Sequence, residues 1–258
     1  MLTYDALPDE RQQHIRSLLA THGKVIATEL SEKFGVSEHT IRRDLADLAR
    51  AGACRKVYGG AVALAPDGGT LQHRSAQQPE RKQALAAAAI SLLDRRQSLF
   101  LDAGSTNLAI ARALPADLAL TVVTNAPAIA AALIEREGLS IIMLGGQVDR
   151  AVGGAVGATA VDAVRRLSFD LAFLGACAID PQEGLTAFDL EDAAFKRAVI
   201  TRSGATAVAA VKEKLLSVAT HNAAPIDEIT TLIVEHDTPA KPQRAFEKAG
   251  VQLVLAGR

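Results

Sequence analysis

Residues 35–61, GVSEHTIRRDLADLARAGACRKVYGGA, fold in few ways: a glycine turn, an amphipathic helix and a basic hairpin closed by glycines follow one another without a gap. Ser37 follows the Gly35-Val36 turn, and its hydroxyl is suited to accept from the free N–H groups of a first helical turn, which predicts a helix from Ser37 to about Arg50. At about 100° per residue Ile41, Leu45 and Leu48 share one stripe, while His39, Arg43 and Arg50 point the opposite way. Thr40 and Arg42 fall on the flanks, where an inserted helix reaches phosphates more readily than base edges. Upstream, Ile15, Leu18 and Leu19 lie at helical spacing within 10–21, and a second short helix over 28–34 turns Leu30 and Phe34 inward. Downstream, 53–64 alternates Arg55 and Val57 with Lys56 and Tyr58 and turns at Gly59-Gly60, two small strands that read as a wing. Arg55, Lys56 and Tyr58 are expected on the DNA backbone. An isolated Arg pair usually only solvates a helix. Here cap, apolar stripe, basic face and wing come in one consistent order, that of a helix-turn-helix.

Charge has to be placed before it can be interpreted. The chain of 258 residues has a formal net charge of −1, which looks unfavourable for a DNA binder. Over 38–60, however, Arg42, Arg43, Arg50, Arg55 and Lys56 outnumber Glu38, Asp44 and Asp47. The excess is local and small, so one copy neutralises few phosphates and two or more copies per site are implied, a homo-oligomer such as a dimer or tetramer on operator DNA. Two cysteines, Cys54 and Cys177, fall in different expected domains, so neither a disulfide framework nor a metal site is indicated, and a reducing compartment is expected. The first residues are polar and no apolar run is long enough to span a bilayer, so a cytoplasmic protein without a membrane partner is expected.

With 49% hydrophobic residues the chain has material for two globular domains. The expected division is a DNA-binding domain over 1–64, a linker over 65–79 that opens APDGGT, and a larger domain over 80–258. Within the last, a helix from Glu80 precedes short apolar strands at 98–102, 120–124, 140–144, 170–174, 206–211, 230–234 and 251–255, separated by helical stretches. That alternation predicts an α/β domain with a mostly parallel sheet covered on both faces.

Ligands of such sheets sit beyond the carboxyl ends of the strands, where this chain gathers its unusual residues. Asp102, Gly104, Ser105 and Thr106 form a strand, a turn and the hydroxyl-bearing start of a helix, a place where free N–H groups and the helix dipole favour an anion. Thr124-Asn125, Gly145-Gly146 and Gly175 end the next strands and extend the expected pocket. Farther along, Asp192 and Lys196 are i,i+4 on a helix, a pair that is worth only ~0.3–0.5 kcal/mol on an exposed face. Beside a phosphate pocket, Lys196 would neutralise the phosphoryl group while Asp189 or Asp192 accepts from hydroxyls, with Lys214 the second candidate cation.

The motifs VSEHTIRRDLADLARAGACRKVYGGA, LDAGSTN, TVVTNA, LGGQVDR, FLGACAID and GLTAFDLEDAAFKRAVI, in this order, give the chain a resemblance to DeoR-type transcriptional regulators along nearly its whole length. The resemblance implies a winged helix-turn-helix followed by a sugar-phosphate sensing domain related in fold to ribose-5-phosphate isomerase. It also implies a repressor of a carbohydrate or polyol operon, released by a phosphorylated sugar or polyol, with no cofactor and no catalytic residue. Phe188-Asp189 is similar to the glycerol-phosphate branch. Two positions depart from the family pattern. Asp192 stands where members carry Glu, and Val211-Lys212-Glu213-Lys214-Leu215-Leu216 stands where members read Asp-x-x-Lys-Phe-Gly. The rival from another class is a sugar-phosphate isomerase with a DNA-binding appendage, but the related isomerases carry several carboxylates in the turn 176–180 and only Asp180 remains here. A third reading leaves the α/β domain a purely oligomerising role. Because 65–79 reads as a linker, the effector's signal is expected to pass through an oligomer interface.

Overall fold

The computed structural model describes residues 8–65 and 69–257, without the side chains of Ala20 and His22. The first unit consists of α1 (Pro8–His22), β1 (Lys24–Ile26), α2 (Ala27–Phe34), α3 (Glu38–Arg50), β2 (Cys54–Val57) and β3 (Gly60–Leu64). α2 stops at Gly35, whose φ of 66° is the left-handed conformation that a side chain resists. Ser37 then caps α3, its hydroxyl accepting from the Thr40 amide at 3.2 Å. The stripe Ile41, Leu45 and Leu48 is buried together with Ile15, Leu19, Leu30, Phe34 and Cys54. β2 and β3 form the expected wing, and β1, which the sequence pattern did not announce, adds to the other edge of β3. Asp44 occupies the same stripe as the leucines. Its carboxylate is buried and takes two hydrogen bonds from Arg11 on α1, at 2.5 and 3.1 Å, which joins the first helix to the third.

The larger unit begins with α4 (Leu71–Ala76) and α5 (Pro79–Ile90), followed by β4 (Ser98–Leu101), α6 (Ser105–Ala113), β5 (Thr121–Thr124), α7 (Pro127–Leu133) and β6 (Ser140–Met143). A hairpin of β7 (Gln147–Asp149) and β8 (Gly154–Val156) leads to α8 (Ala158–Arg165), β9 (Phe169–Leu174), β10 (Ala178–Asp180), β11 (Gly184–Ala187) and α9 (Leu190–Thr201). The chain closes with β12 (Ser203–Ala210), β13 (Ser217–Val218), β14 (His221–Ala224), β15 (Thr231–Val234), α10 (Ala240–Lys248) and β16 (Gln252–Leu255). The seven expected strands make one parallel sheet in the order β16-β15-β12-β9-β4-β5-β6. Alternate residues of a strand serve opposite cores. Phe100 packs with Phe169 and Phe195 on one face, while Leu99 and Leu101 pack with Leu85, Leu108 and Ile110 on the other.

Three features differ from the sequence expectation. Of the stretch expected as a linker, Pro66, Asp67 and Gly68 lie outside the described residues, and Leu71–Ala76 is a helix capped by Thr70. β10, β11 and β14 form a small second sheet. β13 of the larger unit pairs in parallel with β3 of the wing, Ser217 opposite Ala63 and Val218 opposite Leu64. The DNA-binding unit is therefore joined to the α/β domain by strand pairing as well as by the chain. Among the described residues no helix is long and apolar enough to cross a membrane.

The Arg11–Asp44 pair generates a stability prediction. Asp44→Ala leaves the Arg11 guanidinium buried without this carboxylate, a type of loss that costs about 3–5 kcal/mol. Chemical denaturation should show that loss, against less than about 1 kcal/mol for the exposed pair change Asp47→Ala.

Candidate functional site

β4, β5 and β6 succeed one another toward one edge of the sheet, whereas β9, β12, β15 and β16 step toward the other. The reversal falls between β4 and β9, and a crevice opens beyond the carboxyl ends of strands where their connections diverge. There the structure has a cavity of about 190 Å³. Its walls are Ala103 to Asn107 after β4, Gly175 to Cys177 after β9, the 188–196 stretch around the start of α9, Lys214 beyond β12, and Arg74 of α4 with Ala151 and Val152. Gly175 is required by contact, since a Cβ at this position would lie 2.4 Å from the Ala103 carbonyl oxygen.

A buried ion cluster pins the crevice. Asp102 is fully buried; it accepts from the Ala103 amide and the Gly175 amide, each at 2.8 Å, and from the Lys196 ammonium at 2.9 Å. Lys196 also donates to Asp192, one turn earlier on α9. Burial opposes the charge on Lys196, but Asp102 and Asp192 outweigh it and hold its pKa above the usual lysine range; burial raises that of Asp192. Asp192 therefore reaches its lysine although it is one methylene shorter than the Glu of the family pattern. Asp189 caps α9 by accepting from the Asp192 amide at 2.8 Å. That capping orients the whole carboxylate edge.

Two other cations line the cavity without a salt bridge among the described residues. Lys214 donates to the Ala176 carbonyl oxygen; burial, reinforced by the charges of Arg74, Lys82 and Lys196 and opposed by Cys177, pulls its pKa down to about 8. Arg74 donates to the carbonyl oxygens of Gly69, Ala151 (2.7 Å) and Val152 (3.1 Å). In the same lining the first turn of α6 presents Ser105 and Thr106, at a helix N-terminus whose first amides have no partner within the helix.

Of the residues expected in the pocket, Gly104, Ser105, Thr106, Gly175, Asp189, Asp192, Lys196 and Lys214 line it, and Asp102 stands directly behind. Four expected residues do not. Thr124 donates to the Leu101 carbonyl and caps the Ala126 amide, and Asn125 braces the turn after β4 from outside by accepting from the Ala103 amide. Gly145 and Gly146 are exposed beyond the edge strand β6. The reason is strand order: β5 and β6 lie on the far side of β4 from the crevice, each about 4.8 Å farther off. Lys196, expected to neutralise the phosphoryl group, is already paired with two carboxylates in this structure. Sequence reasoning missed Arg74, Asn107, Val152 and Cys177. Asn107 lies in the GSTN motif, but Arg74 carried no local signal at all.

On the DNA-binding unit His39 and Arg43 stand exposed on α3 with no protein partner among the described residues. Arg42 pairs with Glu38 at 2.8 Å, and the hydroxyls of Ser37 and Thr40 lie 2.9 Å apart. Lys56 and Tyr58 are exposed at the wing. Arg55, expected on phosphate, is instead paired with Glu183 of the α/β domain, because the wing sheet continues into β13 and turns Arg55 toward that domain. Asp180, the isomerase candidate, is buried and caps the turn after β10 by accepting from the Gln182 and Glu183 amides. It does not reach the cavity.

The buried cluster predicts that Lys196→Met, which strands Asp102 and Asp192 side by side, destabilises the larger unit by about 3–5 kcal/mol in chemical denaturation. Asp102→Asn should be milder, because Lys196 keeps Asp192 as its counter-charge, although the amide nitrogen that replaces one carboxylate oxygen meets a donor.

The comparisons agree with this architecture. Residues 11–66 match the model of the DeoR-like helix-turn-helix domain and residues 77–236 that of the DeoR C-terminal sensor domain. The chain is 33% identical over 250 residues to the HTH-type transcriptional regulator GlpR of Haloferax volcanii, covering 96% of this chain and 98% of that one. It is 30% identical over 247 residues to the glycerol-3-phosphate regulon repressor of Escherichia coli K12, covering 95% and 98%. A D-ribose-5-phosphate isomerase structure aligns with 53% of each chain at 20% identity and a TM-score of 0.38. The two relatives named above carry the names of transcriptional regulators, and this chain belongs to the DeoR family of helix-turn-helix transcriptional regulators.

Proposed function

We propose that the protein is a repressor of a carbohydrate or polyol operon and that a phosphorylated sugar or polyol in the cavity at the β4–β9 switch point releases it from its operator. One observation carries this reading: Ser105, Thr106 and the α6 N-terminus line one cavity with two cations, Lys214 and Arg74, which among the described residues donate to neutral carbonyl oxygens. A phosphate monoester brings about −1.5 to −2 charges and three strong acceptors, which that polar end lacks. Asp189 and Asp192, in the same lining, suit hydroxyl groups. The volume, about 190 Å³, is small beside the roughly 300–1,000 Å³ of drug-sized sites and fits a short polyol or monosaccharide. The names of the relatives, which include a glycerol-3-phosphate regulon repressor, support the ligand class. Repeated half-sites and two or more copies of the chain belong to the same reading, because a single α3 covers few base pairs.

The test of the site is a thermal-shift screen against phosphorylated sugars and polyols, in which a ligand at about 100 times its Kd stabilises by ~2.7 kcal/mol. No stabilisation by any of them overturns the reading. The effector should also show a sign in pH. Lys214 is charged below about 8 and loses its proton above, so affinity falls as pH rises through that value, by up to about tenfold per unit, and Lys214→Met abolishes this dependence. On the DNA side, Arg43→Ala should weaken operator binding by about 1–3 kcal/mol in fluorescence anisotropy and leave the unfolding midpoint unchanged, since Arg43 lies opposite the packed stripe.

A further inference from the structure

Besides the Arg55–Glu183 pair, the winged unit is attached to the α/β domain through the chain and through strand pairing, and each of these two ends at a cation of the cavity. The covalent attachment includes α4, whose Arg74 lines the cavity and ties α4 to the Ala151-Val152 turn. The second attachment is the strand pairing. From Lys214 the chain passes Leu215 and Leu216 and becomes β13, where Val218 lies opposite Leu64 and accepts from the Ala65 amide at 2.9 Å. Leu216 itself sits against the winged unit, since a Cβ on Gly23 would be 2.3 Å from the Leu216 carbonyl oxygen. Three residues, 215–217, thus separate Lys214 from the pair Val218–Leu64.

The turn that carries Lys214 is held from the other side. Arg81 donates to both oxygens of Glu213 at 2.8 Å, and Glu235 accepts from the Lys212 amide at 2.7 Å. On the forward side the Leu216 amide donates to the Ile179 carbonyl oxygen at 2.9 Å, so the segment from Lys214 to β13 also bears on β10. Leu216 has φ 55°, a left-handed conformation that a leucine keeps only under constraint. Such a residue is suited to be the hinge of an element with two arrangements.

We propose that Arg74 and Lys214 close as one clamp on the anionic end of the effector, and that this closure resets the winged unit through α4 and through residues 214–218. The inference rests on the reading of the cavity as a site for a phosphorylated ligand. Its chemistry is exchange of acceptors: a phosphate oxygen is a stronger partner for guanidinium and ammonium than the main-chain carbonyls that both cations use in this structure. The DNA unit responds because both of its attachments then move toward the same point.

Hydrogen exchange of the full-length protein tests this, with inorganic phosphate, glycerol 3-phosphate and glucose 6-phosphate as probes and thermal shift as the measure of binding. A probe that stabilises the protein should change exchange at 63–65 and 217–218 by at least about fivefold, the lower range of allosteric couplings. Arg74→Gln and Lys214→Met should each weaken that probe at least about tenfold. A second measurement locks the joint with Leu64→Cys and Val218→Cys in a background of Cys54→Ser and Cys177→Ala. The oxidised protein should still bind the probe but no longer release DNA selected by the wild-type chain from a random duplex library. Stabilisation with unchanged exchange at 63–65 and 217–218, or full DNA release by the locked protein, overturns the clamp and leaves the cavity's ligand class standing. Failure of every phosphorylated probe to stabilise the protein overturns both.

Discussion

A lysine ammonium that is cut off from water must find its counter-charges inside the fold, and Lys196 finds them on two different elements. Asp102 comes from the end of β4 and Asp192 from the first turns of α9, while Asp102 also receives the amide of Gly175 at the end of β9. One ammonium thus fixes the relative positions of three parts of the domain at the point where the sheet reverses direction. Buried ion pairs add little net stability, since desolvation offsets most of the attraction, but they are costly to leave half-made. Their value here is geometric. The shape of the cavity depends on the cluster staying complete, and Lys196 is the residue that the rest of the site is built around.

Because Lys196 is spent on its carboxylates, the positive character of the cavity resides on Arg74 and Lys214. These two sit on the segments that hold the winged unit, so the part of the protein that would meet an anion is also the part that positions the DNA-binding surface. The wing is correspondingly divided. Lys56 and Tyr58 remain exposed, whereas Arg55 belongs to the joint with Glu183. The stretch expected as a flexible tether is accompanied by a domain joint made of main-chain hydrogen bonds. Such pairing is directional, and β13 meets β3 at Ala63 and Leu64.

Most of the architecture was legible in the sequence because it rests on local signals. The Ser37 cap, the Ile41-Leu45-Leu48 stripe and the seven apolar strands each depend on residues within a few positions, and the structure shows all of them. Asp44 shows the limit of that kind of reading. By helical angle it belongs to the packed stripe, yet it counts among the acids set against the basic residues of 38–60, and the partner Arg11, 33 residues away, makes its burial possible. β13 is two residues long and Arg74 lies in a stretch with the composition of a linker, so neither announces itself.

The sequence by itself determined the winged helix-turn-helix, the parallel α/β domain and the family, since cap residues, periodicity and motif spacing are properties of neighbours along the chain. Tertiary structure alone decided which strand ends share a cavity. Ser105 and Gly175 meet because β4 and β9 are adjacent, and Asn125 and Gly145 are excluded because β5 and β6 lie on the other side. It also decided which cation stays available for an anion, a matter of where counter-charges end up. Strand order and ion pairing are set by contacts between residues far apart in sequence, and no local pattern encodes them.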